Sequence, residues 1–529
     1  MQQLDYYARL LTLGKITRRE FVGRALALGA TAALATSMAG KALQAATPKK
    51  GGTLRIGIAH GSTTDTLDPA TFTDTYTQFV GYAMRNQLIE VSPKGELVPE
   101  LAESWGASDD AAQWTFKLRK GVEFHNGKTM DADDVVASFN HHRGEDSKSA
   151  AKGDLKAIVE LKADGKDTVV FTLKEGNADF PYIATDYHLA IMPAKDGQID
   201  WQSGVGTGGY TLDSFEPGVR ATLKRAPNYW KEGRAHFDGV EALSIKDKAA
   251  RTSALTTGEI DVMDRVELKT AHLMARDKNL RIEETKGTLH YTFAMRTDQA
   301  PFDNNDVRLA LKYGVDREAL LKTIQRGRGV VGNDHPISEI DQYHASELPQ
   351  RQYDPDKSKF HLKKAGLSSL TVDLSASEAA YTEAVNAAVL YKEHAAKSGI
   401  EINVVREPSD GYWKSVWMQK AFTAVYWSGR PTPDWMFTLA YSEGSNWNDT
   451  FWKHDRFNQL LLAARAELDQ PKRREMYIEM QTIVSNEGGV VIPVFANWVF
   501  AMNKKVQHGD MAGNWDLDGG KGAERWWFA

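Results

Sequence analysis

Apolar residues fall on every second position from Trp114 to Leu118, where Trp114, Phe116 and Leu118 alternate with Thr115 and Lys117. That period of two predicts a strand with one buried face. Just before it, Pro99 to Trp105 reads as a short helix. After a glycine-containing turn, an amphipathic helix is predicted to start past Asp131, with acidic residues in its first turn. Lys50 to Ile58 predicts a first strand, Thr66-Leu67-Asp68-Pro69-Ala70 breaks the chain, and a helix that includes Gln78 to Leu88 follows. Tyr210 to Phe215 alternates like a strand and runs into the turn at Glu216-Pro217-Gly218. Ala249 to Leu255 predicts an amphipathic helix, with a short strand ending near Val262. Helix and strand patterns alternate in this way along the chain, which argues for α/β layers.

Length and charge narrow the picture further. Residues 1–46 hold six basic and two acidic residues, leaving 59 and 68 in the remainder, a net of −9 before histidine. Dispersed charge of both signs is not the basic stripe that nucleic acid requires, so no nucleic-acid partner is expected. About 480 residues beyond position 46 exceed one hydrophobic core, so two or three lobes are expected. No repeat, low-complexity run or long linker separates them. The chain has 14 Trp and no Cys. Aromatics supply large, stiff contact area suited to a ligand cleft, although core packing accounts for most of them individually. Without cysteine there is no disulfide, no thiolate metal ligand and no lipid-modified cysteine to tether the chain to a membrane.

The N-terminus reads as an export signal. Thr17-Arg18-Arg19-Glu20-Phe21-Val22 is a twin-arginine motif, and an alanine-rich apolar stretch of 16 residues from Ala25 to Gly40 follows it. A membrane span needs roughly twenty strongly apolar residues, so an uncleaved anchor is the lesser reading. Residues 1–46 are expected to be a signal peptide read by the Tat translocase, cleaved after Ala45 or Ala46, with Leu43 or Gln44 at the −3 position. The mature chain is then a soluble, monomeric protein of the periplasm.

Catalytic and cofactor motifs fare poorly. Gly204, Gly206 and Gly209 match G-x-G-x-x-G, but that dinucleotide fingerprint needs a helix next, and a strand pattern follows instead. H-E-x-x-H and G-x-S-x-G are absent, and the adjacent His141 and His142 point to different faces of any helix. No enzyme activity, no cofactor and no resident metal are expected.

The stretch Pro99 to Phe139 resembles the dipeptide/oligopeptide/nickel family of ABC-importer substrate-binding proteins, extracellular solute-binding family 5. Further matching segments come in the family's order: Gly204 to Tyr210 running on to Arg225-Ala-Pro-Asn-Tyr-Trp230, Ala249 to Val262, Phe302 to Arg308 with Tyr313 to Arg317, and Tyr353 to Leu367. The resemblance implies a two-lobe α/β periplasmic-binding-protein fold with two crossover segments and an extra subdomain in the N-terminal half. The implied division is lobe I at 47–90, 208–292 and 497–529, an inserted subdomain at 91–207, and lobe II at 293–496. The crossings are expected at His290 to Arg296 and Val490 to Trp498. Ligand held between the lobes favours the closed state, and closure makes the surface that a membrane permease recognises.

By the same resemblance, Ala424 to Phe437 is a cleft rim. Peptide-binding relatives carry an aspartate there for the ligand's α-amino group, whereas alignment on Tyr426-Trp-Ser-Gly429 puts Arg430 at that place. A guanidinium grips a carboxylate with two parallel hydrogen bonds. Alternatively, Arg430 fixes its loop through backbone carbonyls or Glu407, or is merely solvated. Asp434 could replace the missing acid only if the loop folds differently, and Trp427 and Trp435 could wall the ligand. Asp186, Tyr187 and His188 are the candidates on the opposite side, where Asp186 would bind a ligand cation or else begin a turn. Tyr441, Asn446 and Trp447 match a further family segment near the cleft. The expected ligand is a peptide or an opine-like, amino-acid-derived acid. Oligosaccharide or chelated-metal binding, and a sensory or chaperone-like role, are the alternatives on one fold.

Overall fold

A computed structural model describes residues 2–12, 15–28, 30–32, 34–36, 38–39, 47–72, 74–408 and 412–529. The expected cleavage site at Ala45 and Ala46 lies outside them. Three sheets organise the chain. The first has seven strands in the order Tyr210–Glu216, Arg220–Arg225, Gly239–Ser244, Thr53–Ile58, Val262–Met263, Trp498–Asn503 and Leu280–Thr285. Strand Thr53–Ile58 runs parallel to both of its neighbours. Its inward residues Leu54, Ile56 and Ile58 are fully buried, packed with Phe79, Tyr210, Phe500 and Trp526. The second sheet has six strands in the order Gly329–Val331, Val490–Ala496, His290–Met295, Phe422–Trp427, Leu370–Ala376 and Ile400–Arg406. The third, four-stranded and antiparallel, runs Ala102–Ala107, Gln113–Leu118, Thr168–Leu173 and Ile158–Ala163. Here Trp114, Phe116 and Leu118 enter the core with Phe139, Phe171 and Phe180, as their alternation requires.

Local chemistry explains several boundaries. Helix Ala132–His141 begins where Asp131 accepts from the Asp134 amide and the Asp134 carboxylate returns the bond, a reciprocal cap. Gly258, in the left-handed region at φ 81, ends helix Lys248–Thr257 before strand Val262–Met263. The glycine-rich run before Tyr210 serves a close backbone approach. A Cβ at Gly206 or Gly208 would sit 2.3 Å from Met84 backbone atoms, so no larger residue fits against the end of helix Thr75–Met84.

Three expectations differ from what is observed. Ala102–Ala107 is a strand and not a helix, because it pairs antiparallel with Gln113–Leu118 and sets Trp105 opposite Phe116. The helix expected through Leu88 ends at Met84, where Arg85 turns to extended backbone. His290–Met295 is not a crossing. Its backbone is paired on both edges, with Phe422–Trp427 and with Val490–Ala496, so it lies wholly inside the second sheet. The chain passes between the two large sheets at residues 286–289 and again at Asn497. At the N-terminus, helices Gln2–Thr12 and Arg18–Ala27 meet through buried Leu11, Phe21 and Ala25, with Thr17 and Glu20 capping the second.

A second junction lies away from the crossings. Asp179, at the start of helix Phe180–Ile183, ion-pairs at 2.7 Å with Arg473 of helix Gln470–Glu487, both buried. The Ala178 amide donates to the Arg465 carbonyl beside it, at 2.6 Å.

Candidate functional site

Between the two large sheets lies a cavity of about 1080 Å³, lined from all three bodies. Its first-sheet side includes His60, Asp74, Arg251, Arg265, Trp498 and Asp516. The body built on the four-stranded sheet contributes Asp154, Asp186, Tyr187 and His188, and the second-sheet side is mostly aromatic. The volume is at the upper end of the range usual for small-molecule sites.

The aromatic side is built by strand pairing. Tyr291 and Tyr426 are register partners on neighbouring strands, so their side chains lie side by side on one face. Tyr291 stacks on Tyr381 with ring centres 3.9 Å apart and planes at 14°. Next to them, Trp413, Trp417, Trp427 and Trp447 form a run of edge-to-face and tilted contacts. Behind this run, one Asp449 carboxylate oxygen accepts from the indoles of Trp417 at 3.1 Å and Trp427 at 3.3 Å. Burial pushes the Asp449 carboxyl up to about 6. Trp447 keeps 45% and Trp413 40% of its surface exposed, and both line the cavity.

Arg430 lies in this cavity, half-buried, in the loop after strand Phe422–Trp427. Gly429 allows the loop its path: φ is +80, and a Cβ would come within 2.2 Å of the Thr288 side chain. One guanidinium nitrogen donates to the Gly429 carbonyl at 2.6 Å, while Glu407 instead accepts from Ser375. Burial pulls Arg430 below the usual arginine value, opposed by the nearby Tyr187, Asp154 and Asp186. Beside it, burial and the charge of Asp186 push Asp154 up to about 7, even though Arg430 and His188 act the other way.

Asp186 is not free for a ligand cation. It accepts from His188 Nδ1 at 2.5 Å, while His188 Nε2 faces the Phe72 carbonyl at 2.8 Å. With a carboxylate at one nitrogen and a carbonyl at the other, both must donate, so the ring is an imidazolium. Its charge holds Asp186 below the ordinary carboxylate range against burial, and Asp186 in turn raises His188. Tyr187 lies against Trp515, edge to face at 5.6 Å.

Asp434 is corrected as well. Both of its carboxylate oxygens accept from Arg465 Nε, at 3.1 and 3.2 Å, and it is absent from the cavity lining. Helix Pro433–Ala440 starts at Thr432, whose hydroxyl caps the Trp435 amide, and this turns Trp435 to the cavity and Asp434 away from it. Tyr441 is buried core against Phe437, and Asn446 is exposed outside the lining. The cavity therefore brings together Trp427, Arg430, Trp435, Trp447, Asp186, Tyr187 and His188 among the sequence candidates.

Residues missed by sequence reasoning include Asp154, Arg265, Tyr291, Tyr381 and Asp516. The four-residue spacing of Trp413 and Trp417 was the one local signal for the aromatic run. His141 and His142 go separate ways, to Asp68 at 2.8 Å and Ser149 at 2.7 Å. A trio of acids with metal-like spacing, Glu90, Glu100 and Glu524, already has Lys231 Nζ at 2.5, 2.7 and 3.1 Å, so an ammonium occupies the place of a cation.

Comparison with known proteins identifies the architecture. Residues 96–449 match the sequence profile of bacterial extracellular solute-binding proteins, family 5 Middle. The chain is 27% identical over 460 residues to the dipeptide-binding protein of Escherichia coli K12, covering 80% of this chain and 85% of that one. It is also 27% identical over 515 residues to di/tripeptide-binding protein 1 of Pseudomonas aeruginosa, covering 90% and 95%. Among solved structures, the binding protein AgaA of A. tumefaciens R10, in complex with agropinic acid, superposes with a TM-score of 0.74 at 25% identity, covering 90% and 99%. The resemblance seen in the sequence and the two-lobe fold agree, and this chain belongs to the family 5 bacterial extracellular solute-binding proteins, the ligand-capturing components of ABC importers.

Proposed function

We propose that this protein captures a peptide or, better suited to its cleft, an opine-like amino-acid-derived acid, and delivers it by hinge closure to a membrane permease. The observation that carries this reading is Arg430. It lines the cavity, its one hydrogen bond among the described residues goes to its neighbour's carbonyl, and a guanidinium so placed recognises a carboxylate. The relatives' names span both ligand classes: dipeptides, di- and tripeptides, and agropinic acid. Two details favour the second class. The acids that would receive a peptide's α-amino group, Asp186 and Asp434, are held by His188 and Arg465. Asp154, at about 7, is a weak counter-charge for an ammonium at neutral pH.

The role is that of a binding protein without catalysis or cofactor. The twin-arginine motif at Arg18-Arg19 supports export to the periplasm by the Tat translocase, where the chain acts as a monomer. Among the described residues no helix is long and apolar enough to cross a membrane. The exposed rings of Trp413 and Trp447 give oligosaccharide binding some support as a second reading.

A thermal-shift screen against dipeptides, tripeptides, imino acids and oligosaccharides tests this reading. A ligand at a hundred times its dissociation constant adds about 2.7 kcal/mol. Stabilisation by the acids, with a smaller radius of gyration at saturation, is expected. Stabilisation by sugars alone, or an unchanged radius with bound acid, contradicts it.

A further inference from the structure

Arg265 is the second arginine whose guanidinium is unspent in the cavity. It is exposed, lines the cavity and makes no side-chain hydrogen bond or ion pair among the described residues. Its neighbour Arg251 is the opposite case: buried, donating to the Ile245 carbonyl at 2.5 Å and sitting 3.4 Å from Asp264. Arg265 also holds a backbone that an arginine rarely adopts, at φ +46. The flanking chain fixes it there, through the Val266 amide on the Val499 carbonyl at 3.2 Å. Strain of this kind persists where the surroundings impose it, and it gathers at ligand sites.

Asp264 and Asp516 feel the charge of Arg265 but make no hydrogen bond or ion pair with it among the described residues. Asp264 and Asp516 are buried together, and each keeps one carboxylate oxygen without a hydrogen-bond partner. Burial, with repulsion from Asp516 added, pushes Asp264 up to about 7, and burial raises Asp516 against the pull of Arg265 and Arg251. The charge of this acid pair faces Arg251 as well as Arg265.

The two cavity arginines stand on different lobes and line one cavity with the aromatic strip. Arg265 follows strand Val262–Met263 of the seven-stranded sheet, and its charge acts on Tyr291. Arg430 follows strand Phe422–Trp427 of the six-stranded sheet, and its guanidinium feels Tyr426. Tyr291 and Tyr426 are direct cross-strand partners. Both arginines and both rings line the same cavity, so a solute held against the rings has two guanidinium groups, one from each lobe, within the walls around it.

We propose that Arg265 is a second anion-recognition residue and that the ligand is a compact di-acid, one carboxylate on Arg265 and the other on Arg430. This rests on the acid-capture reading above and narrows it. A mono-acid satisfies one lobe only, whereas a di-acid ties both lobes together and makes closure part of its own binding.

The test is calorimetric titration of the mature protein with N-carboxyalkyl amino acids of graded spacer length, the two mono-methyl esters of each, and matched mono-acids. A hydrogen bond to a charged group sets the expected size. Blocking either carboxylate should cost about tenfold to a hundredfold in affinity. Arg265→Gln should lose the same factor for the di-acid, and should no longer distinguish it from the ester blocked at the Arg265 end. Arg265→Gly gives an independent reading, because glycine accepts φ +46 without strain. It should raise the melting temperature of the unliganded protein while abolishing the di-acid preference. Mono-acids and di-acids binding equally, with Arg265→Gln unchanged, would overturn the second site and leave acid capture standing. Binding of no acid at all would overturn both.

Discussion

Arg473, on helix Gln470–Glu487, and Arg430, on the loop after strand Phe422–Trp427, both face the first half of the chain from the second lobe. Arg473 is fully engaged. Its Nε donates to the Ala464 carbonyl at 2.9 Å, its terminal nitrogens to the hydroxyls of Tyr343 and Tyr477, and it pairs with Asp179 at 2.7 Å. Both tyrosine rings also lie about 5 Å from its charge, at 5.4 and 5.3 Å. Asp179 raises Arg473 above the usual arginine value despite burial, whereas burial lowers Arg430. An arginine that belongs to the fold has its donors assigned in advance. Arg430 instead is partly desolvated with most of its donors idle, a state that is worthwhile only if something else arrives to use them.

Breaking the engaged arginine should have the largest effect, and on stability. Arg473→Ala leaves Asp179 buried and unpaired, and should lower unfolding free energy by about 3–5 kcal/mol in denaturant titration. Next comes the idle one, where the effect moves to binding. Arg430→Gln should weaken an acidic ligand by about 2–5 kcal/mol, with the melting temperature of the unliganded protein unchanged or slightly raised.

Asp154 sharpens the comparison through pH. Its folded pKa of about 7 lies above the ordinary 3.8, so the folded state holds its proton more tightly than the unfolded chain. Stability from this group is therefore present at low pH and is lost as pH rises between about 4 and 7. Ionised Asp154 also competes for Arg430, so affinity for an acid should fall above pH 7, by up to about tenfold per pH unit. Asp154→Asn should flatten both curves, and an unchanged profile would remove Asp154 from the site.

The smallest effect is expected at the open rim. Lys269 pairs with Glu383 across the cleft at 2.9 Å, but its side chain is 49% exposed. Lys269→Ala should cost about 0–1 kcal/mol and less in high salt.

The fold was legible wherever a local rule carried it. Trp114, Phe116 and Leu118 had to share a face, and Asp131 with Asp134 had to cap a helix. Ala102–Ala107 was not legible, because its helix-like composition yields to pairing with a strand that lies beyond a turn. The site was legible along one stretch, from Trp427 through Arg430 to Trp435, where neighbouring residues meet one cavity. Asp434 shows the limit: its direction depends on Thr432 starting a helix and on Arg465, 31 residues away. Arg265 and Asp154 carry no local signature, since groups around them come from separate segments: Asp186, His188 and Arg430 act on Asp154, and Asp516 lies with Asp264 beside Arg265.

The proposed role of Arg430 is to hold a ligand carboxylate in the cleft. Titrating wild type and Arg430→Gln with one acid and its methyl ester tests it most directly. The account predicts that the ester binds wild type at least tenfold more weakly than the acid, and that the variant treats the two alike. Equal binding of acid and ester by the wild-type protein would contradict it.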